Sequence, residues 1–342
     1  VNTPVTNNTS APSLVKLGQG AVRLNGATAY TGATQIDAGE LVLAANGTTQ
    51  PLAGAISGAG ALGKEGSSRR VLGSANPYNG LTLIREGTLM PSNNAALGST
   101  LAGTIITNRG TLDVGFSTTD NAVNFGDELF MVSGTGLNGR GAIINSSARS
   151  QYNAFRYLAL AGDATFGGEH GSARWDIRNT DSSKPPFFDM NGFTMTKVGS
   201  NMVGLTAVPV RNPGHIDIQE GSFSIEVNTS LGGDASNTVT VQGNAAFDIY
   251  QATLPVAWSL VLNDLGRFYA RYGNSTLQNI WAGPVSLNGT AFLTGANDTQ
   301  ATFAGDISGS GRLVKAGSDT CVFHLTGTNN TYSGGTIVSN ST

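Results

Sequence analysis

A residue pattern that occurs three times constrains the fold of this chain more than any other feature. Each copy has a Leu-x-Lys segment and then a Tyr-x-Gly segment, with Thr four residues after the Tyr and a β-branched aliphatic residue six after it. In the first two copies, Gly follows the Tyr at nine residues and Leu at eleven. The Leu-x-Lys segments begin at Leu14, Leu62 and Leu313, and the tyrosines are Tyr30, Tyr78 and Tyr332. Because such a unit buries its apolar face only against a neighbouring unit, the pattern predicts an all-β chain folded as a parallel β-solenoid.

The pattern resembles the passenger-associated repeat of bacterial autotransporter proteins. An Ile-Ser-Gly-x-Gly segment, which precedes the fuller form of that repeat, is present at residues 56–60 and 307–311. Residues 192–199, which contain Lys197, are similar to a degenerate copy. The resemblance implies a right-handed, single-stranded parallel β-helix that is secreted or displayed at the cell surface.

Composition narrows the range of partners. Charged residues make up only 12% of the chain and the net charge is −3, without a basic stripe, which argues against nucleic acid as a partner. No apolar run approaches the roughly 20 residues that span a bilayer, so no membrane-spanning segment is expected. Three scattered histidines, His170, His215 and His324, lack the spacing of zinc ligands. No motif indicates a cofactor, and the one cysteine, Cys321, is expected to be a buried small hydrophobe.

The pattern also predicts the organisation of the chain. Residues 1–13 lack the repeat and are predicted to be an arm or linker, whereas residues 14–342 are predicted to form one continuous β-helix with an irregular, loop-bearing middle at about 94–302. Glycines before short alternating runs are expected to take positive φ at corners, as in Gly39, Gly87, Gly110, Gly221 and Gly243. Alternation predicts inward side chains at Leu24, Ile36, Leu41, Leu43, Ile84, Leu89, Leu112, Val114, Phe223, Ile225, Phe247, Ile249, Leu325 and Val338.

The third copy of the pattern stops before its Gly-x-Leu segment. Two hypotheses account for this. The chain is part of a longer protein, or the open coil is completed by a second copy, head to tail, with residues 1–6 adding a strand. The residues predicted to make such an assembly contact are Val1, Val5, Tyr332, Ile337 and Val338.

Parallel β-helices can also carry polysaccharide-active sites, so ionisable clusters matter. The densest cluster lies at residues 169–189 and includes Asp176, Arg178 and Asp189. Two carboxylates on either side of a sugar bond can perform acid–base hydrolysis. Alternation, however, places Trp175 on one face and the charges on the other, which is typical of a solvated strand with ion pairs on one face. Tyr269 and Tyr272 belong to an aromatic cluster in which alternation is broken, which indicates a loop that packs locally or stacks on sugars.

Two functional hypotheses follow. The first, which the resemblance favours, is a non-enzymatic structural β-helix that serves as a stalk, an adhesin or a subunit of a head-to-tail extracellular filament. The second is a polysaccharide-active enzyme or glycan-binding module that uses residues 169–189, with surface glycans as partners. Fold analogy alone does not choose between them.

Overall fold

The computed structural model describes residues 14–28, 30–252, 254–272, 279–318 and 320–339. It shows an all-β chain whose parallel strands stack as a β-solenoid of about 14 turns, which confirms the predicted fold class. The predicted arm at residues 1–13 lies outside the described residues. Two compact units divide the chain, Val1–Trp175 and Asp176–Thr342, and each is described by itself. The single continuous β-helix from residue 14 to 342 stays a prediction.

The first unit consists of short strands joined by turns, with one 3-10 turn at Leu137–Gly139 among the described residues. Its strands are β1 (Leu14–Lys16), β2 (Ala21–Leu24), β3 (Thr34–Ile36), β4 (Glu40–Leu43), β5 (Gln50–Leu52), β6 (Ile56–Ser57), β7 (Ala61–Lys64), β8 (Arg69–Leu72), β9 (Thr82–Pro91), β10 (Thr104–Asp113), β11 (Leu129–Gly134), β12 (Ile143–Asn145), β13 (Gln151–Phe155) and β14 (Tyr157–Gly168).

The next strand, β15 (Arg174–Arg178), contains the boundary between the units. The strands of the second unit are β16 (Phe187–Asp189), β17 (Thr194–Lys197), β18 (Met202–Thr206), β19 (Val210–Arg211), β20 (His215–Ile218), β21 (Ser222–Glu226), β22 (Thr238–Val241), β23 (Ala246–Tyr250), β24 (Ser259–Asn263), β25 (Arg267–Arg271), β26 (Ile280–Trp281), β27 (Val285–Asn288), β28 (Thr290–Gly295), β29 (Gln300–Phe303), β30 (Ile307–Gly309), β31 (Arg312–Lys315), β32 (Val322–Leu325) and β33 (Thr336–Val338).

Parallel pairing places like residues above one another in successive coils. In the first unit β4 pairs with β2 and β7, so that Leu41 lies opposite Val22 and Leu62. In the second unit β21, β23 and β25 align Phe223, Phe247 and Phe268 in one column. These three rings are almost completely buried. Within each unit, alternation along the strands therefore directs one set of side chains into an apolar interior.

The predicted glycine corners divide into two groups. Gly39, Gly87 and Gly221 have φ between 65° and 73°, as predicted for residues that turn the chain before a strand. The prediction is wrong for Gly110 and Gly243, which are not among the residues with positive φ. A Cβ on Gly110 would overlap the carbonyl of Ile84, so this glycine permits close backbone approach.

The predicted inward ladder is confirmed along most of its length, since its members from Leu24 to Ile249 are at most 2% exposed. It is wrong at Val338, which is 74% exposed, and Leu325 is only half-buried. Both residues lie in the last described coil, and no described strand lies beyond β33 to cover them.

Candidate functional site

The lysine of the Leu-x-Lys segment is a buried connection between coils. In the second copy Lys64 is 1% exposed, and its Nζ donates to the carbonyl oxygens of Glu65 (2.7 Å) and Gly66 (2.6 Å) in the turn after its own strand. A third bond, of 3.1 Å, reaches the carbonyl oxygen of Glu86, which lies 22 residues further along the chain in the next coil. The side chain therefore ties two successive coils together through their turns.

The same arrangement recurs at two other lysines. Lys16 donates to the carbonyls of the two residues that follow it and to that of Ala38, at 2.7–3.0 Å. Lys197 donates to the two residues that follow it and to the carbonyl of Glu220, at 2.7–3.1 Å. In all three cases the acceptor in the next coil directly precedes a glycine with positive φ. We call this arrangement of Lys16, Lys64 or Lys197 the lysine clamp.

The fourth lysine of this type, Lys315, donates to the carbonyl of Ser318 at 2.7 Å. Counted eight residues from Tyr332, as from Tyr30 and Tyr78, the position equivalent to the acceptor in the next coil is 340, which lies outside the described residues.

Burial determines the electrostatics of the clamp. It lowers the pKa of Lys64 and of Lys197 to about 7, because the ammonium form loses its hydration. The nearby carboxylates oppose this effect: Glu86 raises the pKa of Lys64, and Glu220 raises that of Lys197. The three carbonyl acceptors match the three donors of an ammonium group. The clamp therefore stabilises the turns through a charge that is costly to bury.

The tyrosine and threonine of the repeat form a second connection inside each copy of the pattern. Tyr30 and Thr34 share a buried hydrogen bond of 2.7 Å between their hydroxyl groups, and Tyr78 and Thr82 share the equivalent bond. Burial raises the pKa of Tyr78, which favours its neutral form. The four-residue spacing thus satisfies two buried hydroxyls that would otherwise be destabilising.

The cluster at residues 169–189 is only partly assembled by the fold. Trp175 is buried inside, as predicted, but Asp176 is 0% exposed, so the prediction of a solvated face is wrong. Arg178 covers Asp176 and donates to its Oδ2 at 2.7 Å. Thr206 Oγ1 donates to the same oxygen at 3.4 Å. Cover by the long Arg178 side chain explains how an outward residue is buried.

More polar side chains lie on the same outward face of the second unit. Thr206 Oγ1 is also 3.2 Å from Glu226 Oε2, and Ser224 donates to Glu226 Oε1 at 3.0 Å. Asp248 is 2% exposed and accepts a bond of 2.6 Å from Arg271. We call the set Asp176, Arg178, Thr206, Ser224, Glu226, Asp248 and Arg271 the polar face. Its carboxylates are hydrogen-bonded and covered, which favours a structural role.

The two predicted tyrosines differ in their settings. The guanidinium of Arg271 lies 5.0 Å from the ring centroid of Tyr269, which belongs to β25. The prediction of an irregular segment there is therefore wrong, since Phe268 and Ala270 alternate inward. Tyr272 follows the strand with φ of 43° and is 55% exposed.

Asp189 does not join these residues. It lies in β16, which belongs to a different sheet from β18, β21, β23 and β25. Its Oδ1 accepts a bond of 3.1 Å from the amide nitrogen of Asn212 and another from the backbone N–H of Asn191. The fold thus groups Asp176, Arg178 and Tyr269 on one sheet and separates Asp189 from them.

The residues predicted for assembly are described only in part. Val1 and Val5 lie outside the described residues. The hydroxyl of Tyr332 bonds with that of Thr336, which repeats the pairing of the other copies. Ile337 and Val338 are 43% and 74% exposed, and Val338 helps to line an open groove of about 340 Å³.

Sequence reasoning missed a buried carboxylate. Glu128 is 2% exposed and accepts a bond of 2.7 Å from Thr104 Oγ1. Burial raises the pKa of Glu128 to about 7. The residue directly precedes β11, and no periodic signal marked it as buried. The burial of the lysines was also missed, although their recurrence at one place in every copy was a usable signal. No group of three or more His, Cys, Asp or Glu side chains in the described ranges is placed to hold a metal ion.

Comparison with protein families assigns the repeat. Three segments match the passenger-associated-transport-repeat family. The matched residues are 14–43, 62–90 and 313–340, which confirms the three copies recognised in the sequence. No curated protein and no solved structure matches the chain. Within the described residues, no helix is long and apolar enough to cross a membrane.

Proposed function

We propose that this chain is a structural, non-enzymatic β-solenoid, presented outside the cell as a passenger-like stalk or adhesin. The match of three segments to the passenger-associated-transport-repeat family supports the location, and the lysine clamp carries the structural part of the proposal. At Lys16, Lys64 and Lys197, the repeat uses its charged residue to join the turns of successive coils rather than to face solvent. A chain that is reinforced at every such turn is suited to bearing load along the stack.

Labelling of intact cells tests the location. Antibodies raised against the purified chain are expected to label unbroken cells that express the protein, and external protease is expected to remove that label. Labelling that occurs only after lysis would contradict the proposal.

Incubation with polysaccharides tests the non-enzymatic part. The purified chain is expected to leave acidic and neutral polysaccharides uncleaved. Cleavage that is lost in Asp176→Asn would instead favour a polysaccharide-active enzyme that uses residues 169–189. Because Asp176 is buried beneath Arg178, the folded chain offers this carboxylate little access to a polymer.

A finer proposal concerns self-association. In the last described coil, Val322, Ile337 and Val338 are 41%, 43% and 74% exposed, and β33 pairs with β31 alone among the described strands. An apolar strand edge of this kind accepts a further parallel strand. We propose that a second copy supplies it, head to tail, since β1 likewise has β3 as its one described neighbour.

Sedimentation velocity and electron microscopy over a concentration series test this contact. The chain is expected to form unbranched oligomers that lengthen with concentration, whereas Val338→Lys is expected to stay monomeric with an unchanged circular dichroism spectrum. Monomers at every concentration would contradict self-association but would leave the surface-labelling result unaffected.

A further inference from the structure

A groove outside the repeat contacts has the size and lining of a small-ligand site. It has a volume of about 540 Å³, within the roughly 300–1,000 Å³ range of ligand pockets. The end of β9 forms one wall and the loop after β10 forms the other. Nine residues line it, among them Asn93, Asn94, Phe116 and Thr118.

Hydrogen bonds orient two amide side chains of this groove. The Oδ1 of Asn94 accepts from the backbone N–H of Asn124 at 2.9 Å, and the Oδ1 of Asn93 accepts from that of Ala95 at 2.9 Å. Because each amide oxygen accepts from a backbone N–H, the NH₂ group of the same amide points away from that N–H. Neither NH₂ group, nor the hydroxyl of Thr118, donates to an acceptor among the described residues. All three side chains are exposed.

An aromatic ring accompanies these donors. Phe116 is 49% exposed, whereas Phe125 and Phe130 in the same unit are nearly fully buried. An exposed ring in a concave site gains free energy when an apolar surface covers it.

The charge of the lining narrows the ligand class. None of the nine lining residues is ionisable, so the groove offers no charged partner to a phosphate, a carboxylate or an ammonium group and suits an uncharged ligand better. The ligand that fits has an apolar face for Phe116 and acceptor oxygens for the Asn93 and Asn94 NH₂ groups. A pyranose has both, since its ring carbons present C–H groups and its hydroxyls accept and donate hydrogen bonds.

We propose that this groove binds a neutral sugar residue of a polysaccharide. Phe116 packs against the C–H face of the ring, and the amide groups of Asn93 and Asn94, with the hydroxyl of Thr118, bond to its hydroxyls. For a single sugar, this small set of contacts corresponds to a dissociation constant of about 1 mM, and a longer chain binds more tightly. The site is separate from the repeat contacts and its function does not depend on the structural role proposed above.

Titration of the full chain with glucose, galactose, mannose and N-acetylglucosamine, and with their neutral oligomers, tests the proposal by saturation-transfer NMR and calorimetry. At least one series is expected to bind saturably. Phe116→Ala is expected to weaken that binding at least 10-fold. Asn94→Asp keeps an acceptor for the Asn124 N–H but removes the NH₂ donor, and it is expected to have a similar effect.

Phe193→Ala, which truncates an exposed phenylalanine outside the groove, is the matched control and is expected to bind like the unaltered chain. Circular dichroism checks that every variant is folded. The proposal is overturned if no neutral sugar binds at 20-fold above the expected constant. It is equally overturned if folded Phe116→Ala and Asn94→Asp bind as well as the control.

Discussion

The lysine clamps at Lys64 and Lys197 invite a direct comparison. Lys64 lies in a segment that matches the repeat family, whereas Lys197 lies outside every matched segment. Yet their contacts are nearly identical, with bonds of 2.7, 2.6 and 3.1 Å at Lys64 and of 2.7, 2.7 and 3.1 Å at Lys197. The Tyr–Thr pair follows Lys64 but not Lys197, after which the first tyrosine is Tyr250.

The comparison separates two parts of the repeat. The clamp needs a lysine at the end of a strand, a turn that presents two carbonyls, and a glycine with positive φ about one coil later. The Tyr–Thr pair is an independent element that can be lost. The segment at residues 192–199 thus forms the clamp without the wider motif.

The glycine of the clamp gives the largest expected effect. Gly221→Ala is expected to lower the free energy of unfolding by about 4 kcal/mol, because φ is positive and a Cβ would overlap the carbonyl oxygens of Gly199 and Asn201. Gly87→Ala is expected to do the same in the first unit. Gly192 is the matched control, since its φ is 76° and no atom lies within 4 Å of its Cβ position. Equal losses for Gly221→Ala and Gly192→Ala, measured by urea unfolding, would show that close approach is unimportant.

Removal of the lysine is expected to have the next largest effect. Lys64→Met and Lys197→Met each leave three carbonyl acceptors without their donor, and the relief of burying a charge offsets part of this loss. We expect each to lower the free energy of unfolding by about 2–3 kcal/mol. The exposed Lys184→Met is the control and should change it by less than about 0.5 kcal/mol. A much smaller loss at Lys197 than at Lys64 would break the equivalence of the two clamps.

The pH dependence of the free energy of unfolding gives a further test of the clamp at Lys197. The unfolded lysine keeps its proton up to about pH 10.5, whereas folded Lys197 begins to lose it near pH 7. The unfolded state therefore binds more protons above pH 7, so the free energy of unfolding rises with pH in that window. We expect Lys197→Met to reduce the slope by up to about 1.4 kcal/mol per pH unit, as measured by denaturant unfolding between pH 7 and about pH 9. An unchanged slope would mean that the carbonyls keep the ammonium charged throughout.

The carboxylates near the clamp give the smallest expected effect. Glu220 is exposed, and its charge favours the ammonium form of Lys197. Glu220→Gln keeps the backbone carbonyl that Lys197 contacts, so we expect a loss of no more than about 0.5 kcal/mol in thermal or urea unfolding. A loss as large as that of Lys197→Met would mean that the carboxylate, rather than the turn carbonyls, holds the lysine.

The sequence predicted those features that depend on local periodicity. Alternation identified inward residues such as Ile36 and Phe247, and repetition identified the solenoid. Burial of outward residues could not be predicted, because it depends on a long side chain that folds over its neighbour. Arg178 covers Asp176 in this way, and Thr206 contributes from 30 residues further along. The groove lined by Asn93, Asn94 and Phe116 joins segments that neither repeat nor alternate, so periodicity did not predict it.

The lysine clamp also gives the stack a direction. In each lysine clamp, two acceptors lie in the turn that directly follows the lysine. The third acceptor lies 22 or 23 residues further along the chain, in the next coil. The clamp is therefore shared by two successive coils, so that neither can open without losing it, and we expect the two coils to open together.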